Sequence, residues 1–189
     1  GASNNDGNGS NEGHVRIYSW DGSSWSQLGQ DIDGEASFDQ SGYSVSLSSD
    51  GSTVAIGAPY NDGNSGNYYD QRGHVRIYSW DGSSWSQLGQ DIDGDTIDDH
   101  IGWSVSLSSD GGIVAIGAIG DFFNSGIAGY VRLYSWDGTS WNQLGQDIDG
   151  EVQGDHSGRS VSLSSDGQTV AIGAPYNDGN GSNAGHVRL

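Results

Sequence analysis

The run GHVRIYSWDGSSWSQLGQDIDG at 13–34 returns unchanged at 73–94, returns slightly altered as GYVRLYSWDGTSWNQLGQDIDG at 129–150, and begins once more as GHVRL at 185–189. Between the copies stands SVSLSSDG, at 44–51, 104–111 and 160–167, followed each time by a Val-Ala-Ile-Gly-Ala run at 54–58, 114–118 and 170–174. Successive copies are 60 and then 56 residues apart, and the surplus of four falls between Asp62 and Gly73. The chain is therefore an array of one unit of about 56 residues, and repetition at such a period marks stacked supersecondary units.

Within a unit the apolar period is two. Val45 and Leu47 alternate with Ser44, Ser46 and Ser48; Val54 and Ile56 with Ala55 and Gly57; Val15 and Ile17 with His14, Arg16 and Tyr18. Trp25 and Gln27 alternate in the same way with Ser26 and Leu28. These are strand signatures, and the Asp, Asn and Gly runs between them are turn formers. No window offers helical spacing. The four strands, denoted a (SVSLS), b (TVAIG), c (HVRIYSW) and d (WSQLGQDI), are expected near 44–49, 53–58, 74–80 and 85–91. Four short antiparallel strands per 56–60-residue repeat predict an all-β chain of β-propeller blades, with a stacked β-solenoid as the alternative. Strands c and d at 13–32, a blade at 43–92, a blade at 103–148 and a partial blade at 159–189 make one array of about three blades plus a redundant strand. Propellers usually close with about four to eight blades. An incomplete ring is expected, extended by further chain or by self-association with neighbouring blades or chains.

Composition narrows the partners. With 25 acidic residues against six Arg and no Lys, the net charge is -19, which excludes the usual nucleic-acid binder and disfavours an anionic membrane surface. No apolar stretch is long enough for a transmembrane segment. The absence of Cys removes disulfides and thiolate chemistry.

Three Asp-x-x-Gly runs precede strand a: Asp39-x-x-Gly42-Tyr43-Ser44-Val45, Asp99-x-x-Gly102-Trp103-Ser104-Val105 and Asp155-x-x-Gly158-Arg159-Ser160-Val161. Gly57-Ala58-Pro59 and Gly173-Ala174-Pro175 close strand b, and Gly-x-Val opens strand c at Gly73 and Gly185. Together they resemble the FG-GAP repeats of integrin alpha-subunit propellers and their bacterial and protist relatives, over essentially the whole chain. The resemblance implies a propeller that binds partners. This sequence departs from it at Gly117-Ala118-Ile119, which lacks the Pro, and at the Phe of FG, here Tyr, Trp or Arg. The calcium loop of the family joins strands a and b; here that connection is only Ser48-Ser49-Asp50-Gly51-Ser52.

A different acidic run raises the metal question. Asp31, Asp33, Glu35 and Asp39 recur as Asp91, Asp93, Asp95 and Asp99 and as Asp147, Asp149, Glu151 and Asp155. Ca²⁺ takes six to eight oxygens from flexible loops, so these are candidate calcium ligands; the plain alternative is an acidic connection in which Asp39, Asp99 and Asp155 cap the turn before strand a. Tyr68, Tyr69, Phe122 and Phe123 break the repeat and are candidate contact residues, and Asn8 and Asn180 stand in Asn-Gly-Ser glycosylation sequons. The Arg of strand c is expected to bridge to carboxylates of the adjoining blade. Because equivalent residues of a ring lie far apart, no catalytic convergence is expected. The expected function is a non-catalytic extracellular or cell-surface scaffold for protein contact, adhesion or assembly, with calcium as a stabiliser. The alternative is a carbohydrate-binding propeller module using exposed Trp and Tyr, discriminated by whether the hairpin tryptophans are buried.

Overall fold

A computed structural model describes residues 1–7, 9–63, 67, 69–120 and 128–189. Seventeen strands form small antiparallel sheets, with no helix among the described residues. The first unit holds β1 (His14–Val15), β2 (Tyr18–Trp20), β3 (Trp25–Gln27) and β4 (Ile32–Asp33). The second holds β5 (Ser44–Leu47), β6 (Thr53–Ala58), β7 (His74–Trp80), β8 (Trp85–Gln87) and β9 (Ile92–Asp93). The third repeats it as β10 (Ile101–Leu107), β11 (Ile113–Ala118), β12 (Tyr130–Trp136), β13 (Trp141–Gln143) and β14 (Ile148–Asp149). The fourth contributes β15 (Ser160–Leu163), β16 (Val170–Ala174) and β17 (His186–Arg188). In the two middle units the order is a-b-c-d, β5-β6-β7-β8 and β10-β11-β12-β13, with β9 and β14 continuing strand d along the same c strand. The sheets form an open series of propeller-like blades and do not close into a ring.

Strand d is not the unbroken 85–91 that the alternation predicts. Gly89 adopts a φ of 80°, which breaks the strand between β8 and β9 and turns Gln90 toward the next blade. There the Gln90 side-chain amide donates to the Trp141 carbonyl (2.9 Å), as Gln30 does to Trp85 (2.9 Å). The irregularity is thus a blade-to-blade clasp.

Both faces of strand b in a middle blade are buried. Val54 and Ile56 pack with Val15, Ile17, Ile32 and Trp85 on one side, while Ala55, Val75 and Ile77 pack with Ile101, Val105 and Val114 on the other. Burial of this apolar area at roughly 25 cal/mol per Å² is the main force joining the blades. The serines of strand a have a second use. Ser44 Oγ donates to the Gly102 carbonyl and Ser104 Oγ to that of Gly158, both at 2.7 Å, while Ser46 Oγ accepts from Leu107 N and Ser106 Oγ from Leu163 N. Successive inner strands are stitched by side chains where no strand pairing exists. Gly57 and Gly117 allow this approach, because a Cβ on either would fall about 2 Å from the carbonyl oxygen of Gly102 or Gly158.

Candidate functional site

The acidic runs are distributed among several partners. Asp31 accepts two bonds from Arg16 (Nε 3.0 Å, Nη2 2.8 Å) and one from Gln27, which hold its carboxyl down at about 2. Asp147 meets Arg132 and Gln143 in the same way, and Asp91 meets Gln87. Asp33, Asp93 and Asp149 end strand d, and the main-chain carbonyls of Asp33 and Asp149 accept from Arg76 and Arg188. Glu35 faces Arg76, Asp95 faces Arg132 and Glu151 faces Arg188, the bridging to an adjoining blade that the sequence suggests.

Asp39, Asp99 and Asp155 are buried and accept main-chain N–H groups of Ala36, of Asp95 and Thr96, and of Val152. Asn61 and Asn177 donate to the first and third; Tyr130 donates to the second. Burial pushes the Asp39 carboxyl up to about 6 despite these bonds. Among the described residues the donor atoms that do gather within 4.8 Å include a histidine and at most two members of any one run: His14 with Asp31 and Asp33, and His74 with Glu35 of one run and Asp91 of the next. A calcium ion ligated by one whole run would have to displace Arg16 or Arg132 from its carboxylates. Among the contact candidates Tyr69 is exposed, and Asn180 is exposed at a turn. Tyr68, Phe122, Phe123 and Asn8 lie outside the described residues.

The hairpin tryptophans divide. Trp85 and Trp141 are 4% and 3% exposed, and their indole N–H groups donate to the Leu28 and Leu88 carbonyls of the preceding blade at 2.8 Å. Trp20 and Trp25 are 52% and 66% exposed, although their rings sit 5.5 Å apart, much like the 5.4 Å of the other two pairs. The hairpin is a packing device, and the exposed pair is its uncovered copy.

A different aromatic group lies where strand a begins and strand b ends. Tyr43, Trp103 and Arg159 occupy equivalent positions, one per blade, each directly after the glycine of Asp-x-x-Gly. Tyr60 and Tyr176 stand two residues past β6 and β16. The Tyr43 and Trp103 rings are 4.7 Å apart, Tyr60 lies 6.2 Å from Tyr43 and 6.3 Å from Trp103, and the Arg159 guanidinium sits 5.5 Å from Trp103 and 6.0 Å from Tyr176. Equivalent residues of successive blades therefore do converge here. The wide separation expected of equivalent residues in a ring does not hold where the inner strands begin, because these lie side by side.

Polar groups frame this shelf. His100 lies edge-on to Tyr60 at 5.2 Å, with Nε2 3.0 Å from Gln71 Oε1, and His156 lies against Tyr176 at 5.1 Å. Gln40, His100 and His156 are equivalent residues with φ of 56°, 54° and 53°, a left-handed backbone that is uncommon without glycine and that turns the chain into strand a. Two adjoining cavities share Tyr60 and Gln71: one of about 610 Å³ with Phe38 and Gln40, the other of about 230 Å³ with His100, Trp103, His156 and Arg159. Burial raises the phenol pKa of Tyr43 and of Tyr60, with Arg159 pulling both the other way. Apolar ring faces bordered by amides, imidazoles and one guanidinium can take a ligand that is apolar on one side and rich in oxygen on its edge.

Reasoning from motifs misses this site because the strongest repeats draw attention to the constant residues. Its signal lies in the residue after the motif glycine, which is Tyr, Trp or Arg within an otherwise fixed frame.

Residues 148–188 match the family described as FG-GAP repeat. No curated protein sequence matches the chain. Among solved structures, that of a putative 6-phosphogluconolactonase from Bacteroides uniformis ATCC 8492 aligns with a TM-score of 0.60 and 10% identity, over 89% of this chain and 43% of that one. The chain thus spans less than half the length of that structure, and the likeness is one of fold. It corrects three expectations: a non-catalytic protein, a contact or adhesion scaffold, and an extracellular or cell-surface location. Blades of this kind also build a protein named as a putative 6-phosphogluconolactonase, so the fold does not confine them to scaffolding or to the cell surface. A 41-residue FG-GAP-type repeat in a propeller-like array is what the comparisons establish.

Proposed function

We propose that this chain is a carbohydrate-binding propeller module whose platform is the Tyr43–Tyr60–Trp103 shelf. The observation that carries the reading is the contact of Tyr43 and Trp103, 4.7 Å apart, with Tyr43 38% exposed and Trp103 lining the smaller of two cavities that share Tyr60 and Gln71. A pyranose ring presents C–H groups on its face, which bury well against an aromatic ring, and hydroxyls on its edge, which need donors and acceptors. Gln40, Gln71 and His100 supply both. The hairpin tryptophans play no part in this platform, because two of them are consumed by blade packing. The finer likeness to integrin-type propellers rests on the three Asp-x-x-Gly runs with the Gly-Ala-Pro and Gly-x-Val motifs, of which only the last set falls within 148–188; in this reading that frame is the support on which the shelf is mounted.

The test is tryptophan fluorescence and calorimetry with a panel of hexoses, hexuronates and hexose phosphates. At least one should bind, Trp103→Ala should weaken it at least about tenfold, as loss of one stacked ring would, and Trp25→Ala should leave it unchanged. Absence of binding across the panel, or equal loss in both variants, removes the proposal.

The fold match favours a second reading, hydrolysis of a sugar lactone held on the same shelf. Acid release from gluconolactone above the spontaneous rate, lost in Trp103→Ala, supports it; a rate equal to the protein-free control rejects it.

A further inference from the structure

Resting on the carbohydrate reading of the shelf, we infer that the sugar it takes is anionic and that Arg159 binds the charged group. The chain has six arginines. Five of them meet a carboxylate: Arg16 with Asp31, Arg72 with Asp70, Arg76 with Glu35, Arg132 with Asp95 and Asp147, and Arg188 with Glu151. Among the described residues Arg159 alone forms no such pair, in a chain with 25 acidic residues to choose from. It is exposed, and its guanidinium is held over Trp103 and Tyr176.

Its surroundings agree. Among the described residues neither cavity of the shelf is lined by an acidic side chain, although acids outnumber bases about fourfold in the chain, at 25 to six. Nor does packing call for an arginine, because the equivalent positions in the other blades carry Tyr43 and Trp103. A guanidinium stacked on aromatic faces is oriented before any ligand arrives, and its planar donors match a carboxylate or a phosphate with two parallel bonds. The net charge of -19 opposes an anion at long range. At 0.15 M salt the screening length is about 8 Å, so charges farther off than that are largely screened and the Arg159 guanidinium acts at close range.

The carboxylate of a hexuronic acid and the phosphate of a hexose phosphate share this chemistry. Calorimetric titration of glucose, glucuronate and glucose 6-phosphate at 0.15 M salt separates them, using the wild type, Arg159→Gln and Arg159→Lys. One or both anionic sugars should bind at least about tenfold tighter than glucose, the gain expected of a charge-assisted pair. The tighter of the two identifies the anionic group. Arg159→Gln should abolish the preference, bringing both anions to the affinity of glucose in that variant, and Arg159→Lys should restore part of it. Equal affinity of glucose and both anions in the wild type overturns the inference and leaves the carbohydrate reading standing. A preference that survives in Arg159→Gln also overturns it. If none of the three binds, the inference falls, and the carbohydrate reading is then judged on the wider panel.

Discussion

The rim and the inner end of the blades belong to the same repeat and differ in what they hold constant. At the rim the Trp-Asp-Gly-x-Ser-Trp hairpin is nearly constant from unit to unit, and the geometry is constant with it: Asp21, Asp81 and Asp137 accept the same pair of main-chain N–H groups at 2.7–2.9 Å. At the inner end the frame is equally constant, but the residue it presents changes from Tyr43 to Trp103 to Arg159. Invariance in the rim goes with a lock in which Trp85 and Trp141 each enter a slot on the preceding blade. Variation at the shelf shows that packing tolerates any of the three residues there. In a repeat array, constancy reports packing, and substitution inside a constant frame reports where the surface is free to be specialised.

The largest effect that sharpens this contrast comes from one residue type in two settings. Trp85→Ala empties a buried slot and removes the bond to the Leu28 carbonyl, and should cost about 3–5 kcal/mol in a urea titration. Trp25→Ala, at the same hairpin position but 66% exposed, should cost less than about 1 kcal/mol. Similar losses at both positions would show that the hairpin stabilises its own blade and does not lock blades together.

A smaller difference is expected between two glycines. Gly89 and Gly145 both have φ in the left-handed region, 80° and 72°, so alanine strains each backbone by about 1 kcal/mol. At Gly89 a Cβ would also fall 2.6 Å from the Trp136 ring, whereas at Gly145 nothing lies within 4 Å. Gly89→Ala should therefore lose about 1–2 kcal/mol more than Gly145→Ala, the surplus being overpacking at the lock. Equal losses would mean that Trp136 moves aside without cost.

Much of the rim and the frame is legible in the sequence because period two, Asp-Gly turns and the 56-residue spacing each encode a local rule that tertiary structure does not override. Strands β5 to β8 start where alternation places them, and the break at Gly89 is missed because it serves Gln90 and Trp141 of the neighbouring blade, 51 residues apart. The shelf is less legible for the same reason. Tyr43 meets Trp103, 60 residues on, only because two inner strands lie side by side. The acidic runs show the converse: their spacing looks like one loop around an ion, yet the chain is extended through Asp33 and Asp93 and sends neighbouring carboxylates to different partners.

The smallest effect concerns the frame between rim and shelf, where two buried groups of one blade titrate with opposite sign. His74 is buried and kept neutral, its pKa lowered to about 3 by burial and then by Arg76, with Glu35 3.8 Å away and Asp91 nearby. Between pH 6.5 and 3 the unfolded chain binds a proton at this residue that the folded chain does not, so its contribution to stability is present near neutrality and is lost as pH falls below 6.5. Asp39 behaves in reverse. Its pKa is raised by burial from about 3.8 to about 6, so over that window the folded chain holds the extra proton and stability falls as pH rises. Asp31, held down at about 2, changes stability only below about pH 4 and does not enter. Over the single interval from pH 7 to pH 5 the two signs are separable by denaturant titration. His74→Tyr, which installs the residue that the third blade carries at Tyr130, should lose less stability on acidification than the wild type, by on the order of 1 kcal/mol. Asp39→Asn should lose more than the wild type over the same interval. If His74→Tyr and the wild type respond alike, the imidazole is charged in the folded blade, and Glu35 outweighs burial at this position.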